Sequence, residues 1–150
     1  MADIADELIT YLKTVSAITS LVGSGTNARI YNQDGIPQGA LNPTAAGNTR
    51  SALSIVKQSD VNSGHLGGRS AMNKATFVIT SYAVTPSARN TLAGAVWDAM
   101  APTATTVMGS TPVTEIYTES AGTDIDFGLD GTDQRLYASQ ATYAIWYYSS

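Results

Sequence analysis

The 150-residue chain carries one histidine, His65, and no cysteine, which leaves few side chains able to run chemistry near neutral pH. A serine hydrolase needs a base beside a nucleophile held on a strand-to-helix elbow. His65 instead sits in a glycine-rich stretch with no G-x-S-x-G sequence near it, the setting of a solvated loop residue. A lone histidine without cysteine also offers a transition metal too few nitrogen or sulfur ligands. The same stretch ends Gly67-Gly68-Arg69-Ser70, a near miss to a phosphate-cradling loop. Its first motif glycine falls on Ser63, Arg69 replaces the lysine, and the residues that follow read as a strand where a helix N-terminus would be needed. Gly64 to Gly68 therefore reads as a flexible finger.

The second chemical candidate is the run from Asp124 to Asp133, where Asp124, Asp126, Asp130 and Asp133 gather among glycines. Calcium favours oxygen ligands of this kind. The common twelve-residue calcium loop, however, needs a glycine at its sixth position and a closing glutamate, and this run has neither. Paired carboxylates that cleave glycosides need a cleft that raises the pKa of one of them. Acids set among glycines and polar residues stay solvated, ionised and idle. The expectation is an acidic turn facing solvent or a pore, with no catalytic residue, no metal site and no cofactor.

Composition bounds the remaining possibilities. A hydrophobic fraction of 43% with 13% charged residues is the balance of a folded chain, and 150 residues suit one core. No apolar run approaches the roughly 18 residues that a bilayer span requires. Acids at Asp3, Asp6 and Glu7 occupy the place where a secretory signal would be basic, so synthesis in the cytoplasm and no membrane association are expected. A net charge of −4 argues against gripping nucleic acid, which requires clustered cations. Charge is also segregated by sign. Between Gly35 and Trp97, Arg50, Lys57, Arg69, Lys74 and Arg89 face a single acid, Asp60. From Asp98 to Asp133 there are seven acids and no base. The two segments could pair within one fold or across a head-to-tail interface between copies.

The elements that would carry these residues follow from periodicity. Ile4, Leu8, Tyr11, Leu12, Val15, Ile18 and Val22 recur at helical spacing, and Gly23-Ser24-Gly25 would end that helix. A short strand, Arg29-Ile30-Tyr31, enters a turn-rich loop from Asn32 to Arg50 that is a candidate contact arm. Strands over 52–57 and 70–83 should pair as a hairpin, with Gly64 to Gly68 in the finger between them. Thr85-Pro86 starts a second helix running to about Met100, and Leu92, Val96 and Met100 form its apolar face. Strands over 113–118 and 135–148 close the chain, joined by the acidic run. The expected fold is α+β: two helices packed on a mainly antiparallel β-sheet, in a single domain with long loops.

The last strand is apolar or aromatic on both sides. Tyr137, Tyr143, Ile145 and Tyr147 fall on one face, and Leu136, Ala138, Ala144, Trp146 and Tyr148 on the other. Such a strand needs cover twice, either from helices on both sides or from a neighbouring subunit, and tyrosine suits interfaces. Tyr143 and Tyr147, with Lys74 and the finger residues Gly64, His65, Leu66 and Arg69, are the expected contacts between subunits or rings.

In order, the opening helix, the Arg29-Ile30-Tyr31 strand, the proline-rich loop, the strand ending Phe77-Val78-Ile79-Thr80-Ser81-Tyr82, the Arg89-Leu92-Val96-Met100 helix, the Asp124-Asp126-Phe127 segment and a closing strand after Arg135 resemble the tail terminator, or tail completion, family of long-tailed bacteriophages. That resemblance covers nearly the whole chain. It implies a virion protein without enzymatic activity, typically a hexameric ring, that caps the head-proximal end of the tail tube, stops its polymerisation and joins it to the neck. Its partners would be copies of itself, the tail tube protein and a neck or head-completion protein. DNA would pass through the channel without specific binding, and an acidic lining from Asp124, Asp126, Asp130 and Asp133 would repel phosphate. The alternatives are another neck or connector component, a tail tube subunit, or a small enzyme working through carboxylates.

Overall fold

The computed structural model describes residues 3–23, 25, 28–36, 51–62, 72–102, 105, 107–129 and 135–148. The first helical region begins with Asp3, whose carboxylate accepts the Ala5 backbone N–H at 2.8 Å and caps α1 (Ile4–Leu12). The single helix expected over 4–22 is in fact two. Thr14 turns its hydroxyl onto the Tyr11 carbonyl at 2.6 Å, its N–H bonds the same oxygen, and Val15 goes extended before α2 (Ser16–Val22). A hydroxyl that bonds a carbonyl one turn back, beside a β-branched residue, interrupts the ladder. The apolar period survives the break, because Ile18 and Val22 are still fully buried. Gly23, at φ +91°, ends α2 in a conformation other residues rarely adopt.

The strands are β1 (Ile30–Tyr31), β2 (Ser51–Asn62), β3 (Met72–Ala83), β4 (Val107–Met108), β5 (Thr111–Leu129) and β6 (Arg135–Tyr148), with α3 (Pro86–Ala99) between β3 and β4. They form one sheet in the order β1-β2-β3-β6-β5-β4, in which only the β1–β2 pair is parallel. The expected β2–β3 hairpin is present, with one irregularity between Lys57 and Ser59. β6 lies at the centre and pairs with β3 from Met72↔Tyr148 to Ala83↔Tyr137 without a break. Thr85 caps α3 by accepting the Ala88 N–H at 3.1 Å, and Pro86 sits in its first turn, as the sequence implied.

All three helices lie on one face of this α+β sheet. Phe77, Ile79, Tyr143 and Ile145 of the sheet share a core with Leu8, Leu12, Ile18, Leu92 and Val96 of the helices. The Tyr11 hydroxyl donates to the Ala99 carbonyl at 2.7 Å and ties α1 to the end of α3. Buried Arg29 braces α2 against the sheet edge, donating from Nε to the Ser51 carbonyl at 2.8 Å and from Nη2 to the Leu21 carbonyl at 3.1 Å. At the opposite edge the Glu7 carboxylate accepts the Ser110 N–H in the β4–β5 turn. The other face carries a smaller cluster of Ala52, Tyr82 and Ala138, with Tyr31, Ile125 and Leu136 against it.

Candidate assembly surface

A strand's side chains alternate between faces, so the continuous β3–β6 register assigns each residue to one side. Odd-numbered residues of both strands face the helices. Tyr143 is 1% exposed, and Tyr147 is buried with its hydroxyl donating to the Asp60 carboxylate at 2.7 Å. Burial pushes the Tyr143 hydroxyl up to about 12. Burial first, and the Asp60 carboxylate second, raise that of Tyr147. Both rings belong to the subunit's own core, which corrects the expectation that they reach a neighbour. Alternation identified the two apolar faces of β6, but not which one the helices would cover.

The even-numbered face ends in a different environment. Val61, Lys74, Trp146 and Glu115 form one row across β2, β3, β6 and β5, with Met72 and Tyr148 paired beyond it. The Lys74 ammonium lies 3.0 Å from the Glu119 carboxylate, 5.7 Å from the centre of the Tyr117 ring and 5.9 Å from that of Trp146. The Trp146 indole N–H donates to the Tyr117 hydroxyl at 3.4 Å. The hydrogen bond to Glu119, then that to Tyr117, raises the Lys74 pKa above the ordinary lysine range. A cation clasped between two rings and a carboxylate, with Val61 59% exposed and Tyr148 44% exposed, makes a mixed aromatic and charged patch. Of the expected contact residues, Lys74 is the one placed on such a surface. Gly64, His65, Leu66 and Arg69 lie outside the described residues.

The acidic run divides in the same way. The strand expected over 113–118 continues to Leu129, so Asp124 and Asp126 are strand residues and the expected turn over them is corrected. Irregularities between Thr118 and Ser120, Ser120 and Thr123, and Asp126 and Gly128 accommodate the glycines that read as a turn. Asp124 is exposed and its carboxylate is 3.4 Å from the Arg89 guanidinium, which also lies 6.0 Å from the Tyr137 ring centre. Asp126 stands opposite Tyr137 in the register, and Asp130 and Asp133 lie outside the described residues. Lys74–Glu119 and Arg89–Asp124 both join the basic middle segment to the acidic later one inside a single chain. Segregation by sign along the sequence is therefore at least partly spent within the fold. Lys57 bonds Asp3 at 2.9 Å and Asp60 at 3.5 Å, and its pKa is raised by the Asp3 hydrogen bond above all.

Two features had no clear signal in the sequence. Val61 follows the polar run Gln58-Ser59-Asp60, and only the β2 irregularity after Lys57 turns it to the open face. A groove of about 220 Å³ runs between α3 and the sheet, lined by Gly94, Val96, Trp97, Gly122, Ser139 and Tyr143 among others, with Trp97 half exposed at its rim. Among the described residues no carboxylate, lysine, arginine or histidine lines it. Among the described residues, no three histidine or acidic side chains stand close enough to hold a metal ion.

No protein-family model matches the sequence, and comparison with the curated proteins returns no match. Among solved structures the chain is similar to a chain in the virion of a native gene transfer agent particle. That likeness has a TM-score of 0.63 at 14% sequence identity, and it covers 95% of this chain and 92% of the other. At that identity the likeness speaks for the fold alone, and it runs the length of both chains.

Proposed function

We propose that this protein is a structural subunit of a phage-like particle and works there as a tail terminator: a ring, typically of six copies, that caps the head-proximal end of the tail tube, ends its polymerisation and joins it to the neck. The observation that carries the reading is the end-to-end likeness in fold to a chain of a gene transfer agent virion. The exposed aromatic and charged patch around Lys74 and Trp146 supports a protein-binding role. Virion assembly would place the protein in the tail or neck after synthesis in a bacterial host.

Within this reading Asp124, Asp126, Asp130 and Asp133 border the channel and keep DNA sliding by repelling phosphate. The exposure of Asp124 is in keeping with that position. Gly64, His65, Leu66 and Arg69 contact the adjoining ring or subunit. Electron microscopy of the purified protein mixed with tail tubes is the direct test, with rings seated on one tube end as the expected result. Long tubes formed by the protein itself would identify a tube subunit instead, and rings with all four acids on the outer rim would remove them from the channel. Deleting Gly64 to Gly68 should leave the circular dichroism spectrum unchanged and abolish infectious particles; an unchanged titre refutes the finger's role.

A further inference from the structure

Three buried hydroxyls line the groove between α3 and the sheet. Ser81 of β3 and Ser139 of β6 are partners in the register and face the helices, and Tyr143 stands on the same face of β6. Ser81 is 2% exposed, Ser139 8% and Tyr143 1%, and none of the three hydroxyls has a hydrogen-bond partner among the described residues. A buried polar group without a partner is costly, and native folds keep few of them. Here three share one groove of about 220 Å³, a set of donors and acceptors that the subunit itself does not use.

The helix side of the groove points the same way. Gly94 lies inside the 14-residue α3, where glycine destabilises a helix relative to alanine. No steric need within the subunit accounts for it, since a Cβ at Gly94 would meet nothing within 4 Å. Gly122, also in the lining, differs: a Cβ there would come 3.1 Å from the Ser139 hydroxyl, so the fold itself disfavours a side chain. What Gly94 provides is room for another backbone to approach α3. Half-exposed Trp97, one turn further along, offers that backbone a ring to pack against.

Size and charge narrow the occupant. Sites for drug-sized ligands and cofactors run to about 300–1,000 Å³, whereas a cavity of about 150 Å³ holds one benzene ring. The groove suits a single aromatic side chain. Its lining is uncharged among the described residues, and Arg89 and Asp124, on the flanking elements α3 and β5, pair with each other at 3.4 Å. A charged side chain would lose its hydration there without gaining a counter-charge. The subunit's own exposed tyrosine, Tyr148, is a poor occupant. It lies next to the Lys74–Glu119 pair, whose charges would be desolvated against this uncharged rim.

We infer that this groove is the seat for a tyrosine-like side chain of a different protein of the particle. The ring packs among Ile79, Val96 and Ala141, its tip exchanges hydrogen bonds with Ser81, Ser139 and Tyr143, and its backbone crosses α3 at Gly94 against Trp97. The source of the side chain rests on the virion reading above; the site does not.

Neutral probes of that chemistry are p-cresol and N-acetyl-tyrosinamide, with toluene as the ring without its hydroxyl. Titrated onto the full chain and followed by NMR, p-cresol should saturate one site and bind about tenfold more tightly than toluene, the worth of one hydrogen bond. Tyr143→Phe should narrow that preference with little change in thermal unfolding, a result that a purely structural hydroxyl would not give. Gly94→Leu should fill the groove and abolish binding of all three probes while thermal unfolding stays at or above that of the parent. The same variant should form rings at the parent's level yet be depleted from assembled particles. Absence of saturable binding by p-cresol and N-acetyl-tyrosinamide, or binding that survives Gly94→Leu, would overturn the site. Normal incorporation of Gly94→Leu into particles would overturn the protein occupant in favour of a free small molecule, and a ring fraction that falls in this variant would overturn it in favour of a second copy. A parent that forms no rings would count against the ring reading alone, because probe binding needs none.

Discussion

The two faces of the central strands are built from similar residue types and end in opposite states. On the helix side Ala75, Phe77, Ile79, Tyr143, Ile145 and Tyr147 are all buried under α1, α2 and α3. On the other side Thr76, Val78, Thr80 and Ala144 are buried, but the end of the sheet opens at Trp146, Lys74, Val61 and Tyr148. Aromatic content alone does not distinguish a core from an assembly surface. What does is whether a polar tip is tied inward, as Tyr147 is to Asp60, or held at the rim by a neighbour that also meets water, as Trp146 is by Tyr117 and Lys74. The contrast predicts that the helix side sets the stability of the subunit and the open side sets its assembly.

The largest effect expected is from Tyr143→Ala. Emptying a fully buried aromatic site costs about 3–5 kcal/mol, so chemical denaturation should show a midpoint shift large enough to threaten folding. Tyr143→Phe sharpens the same point. The Tyr143 hydroxyl has no hydrogen-bond partner among the described residues, so its removal should change neutral-pH stability little. Its effect appears in alkali. An unfolded tyrosine ionises near 10, whereas Tyr143 keeps its proton to about 12 in the fold. Between those values the unfolded chain releases a proton that the folded one retains, so stability falls as pH rises through the window. Tyr143→Phe should flatten that fall without abolishing it, since burial raises Tyr147, Tyr11 and Tyr82 too. An unchanged alkaline profile would mean the ring is more solvated than its packing implies.

Next in size is Trp146→Ala on the open face. A partly buried side chain gives up less than the value of full burial, so about 1–2 kcal/mol of subunit stability should go. The loss in assembly should be larger than the loss in stability, measured as the ring fraction at fixed concentration. Equal losses would mean the open face is merely poorly covered core.

This division explains which parts of the fold were legible beforehand. The α3 start was readable because Thr85 and Pro86 act locally, one as a cap and one through its fixed φ. The β2–β3 hairpin and β6 were readable because alternation with period two persists over many residues. The break at Thr14 was hidden because Ile18 and Val22 keep the helical period after the chain has turned. β5 was cut short because Gly122, Gly128 and the acids between them have the composition of a turn, and only pairing with β6 holds them extended. The candidate surface was legible at Lys74 alone. Tyr143 and Tyr147 went to the wrong side because periodicity separates two faces without saying which one three helices will cover. Val61, Tyr117 and Glu119 meet Lys74 or its row only through non-local register, which no spacing along the chain encodes.

The smallest effect on the subunit itself is expected from Lys74→Met, and it discriminates most finely between the faces. The methionine keeps an unbranched chain over the Tyr117 and Trp146 rings and removes only the charge that Glu119 and those rings hold. The pair is solvent-screened, so thermal unfolding of the subunit should hardly move. Glu119 would then stand uncompensated near Glu115, adding negative charge to the open face. Ring formation should weaken at low salt and recover as salt is raised, because screening removes repulsion between like charges. The parent should lack that recovery. If the variant and the parent assemble with the same salt dependence, the Lys74–Glu119 clasp plays no part in assembly, and the open face acts through its aromatic residues alone.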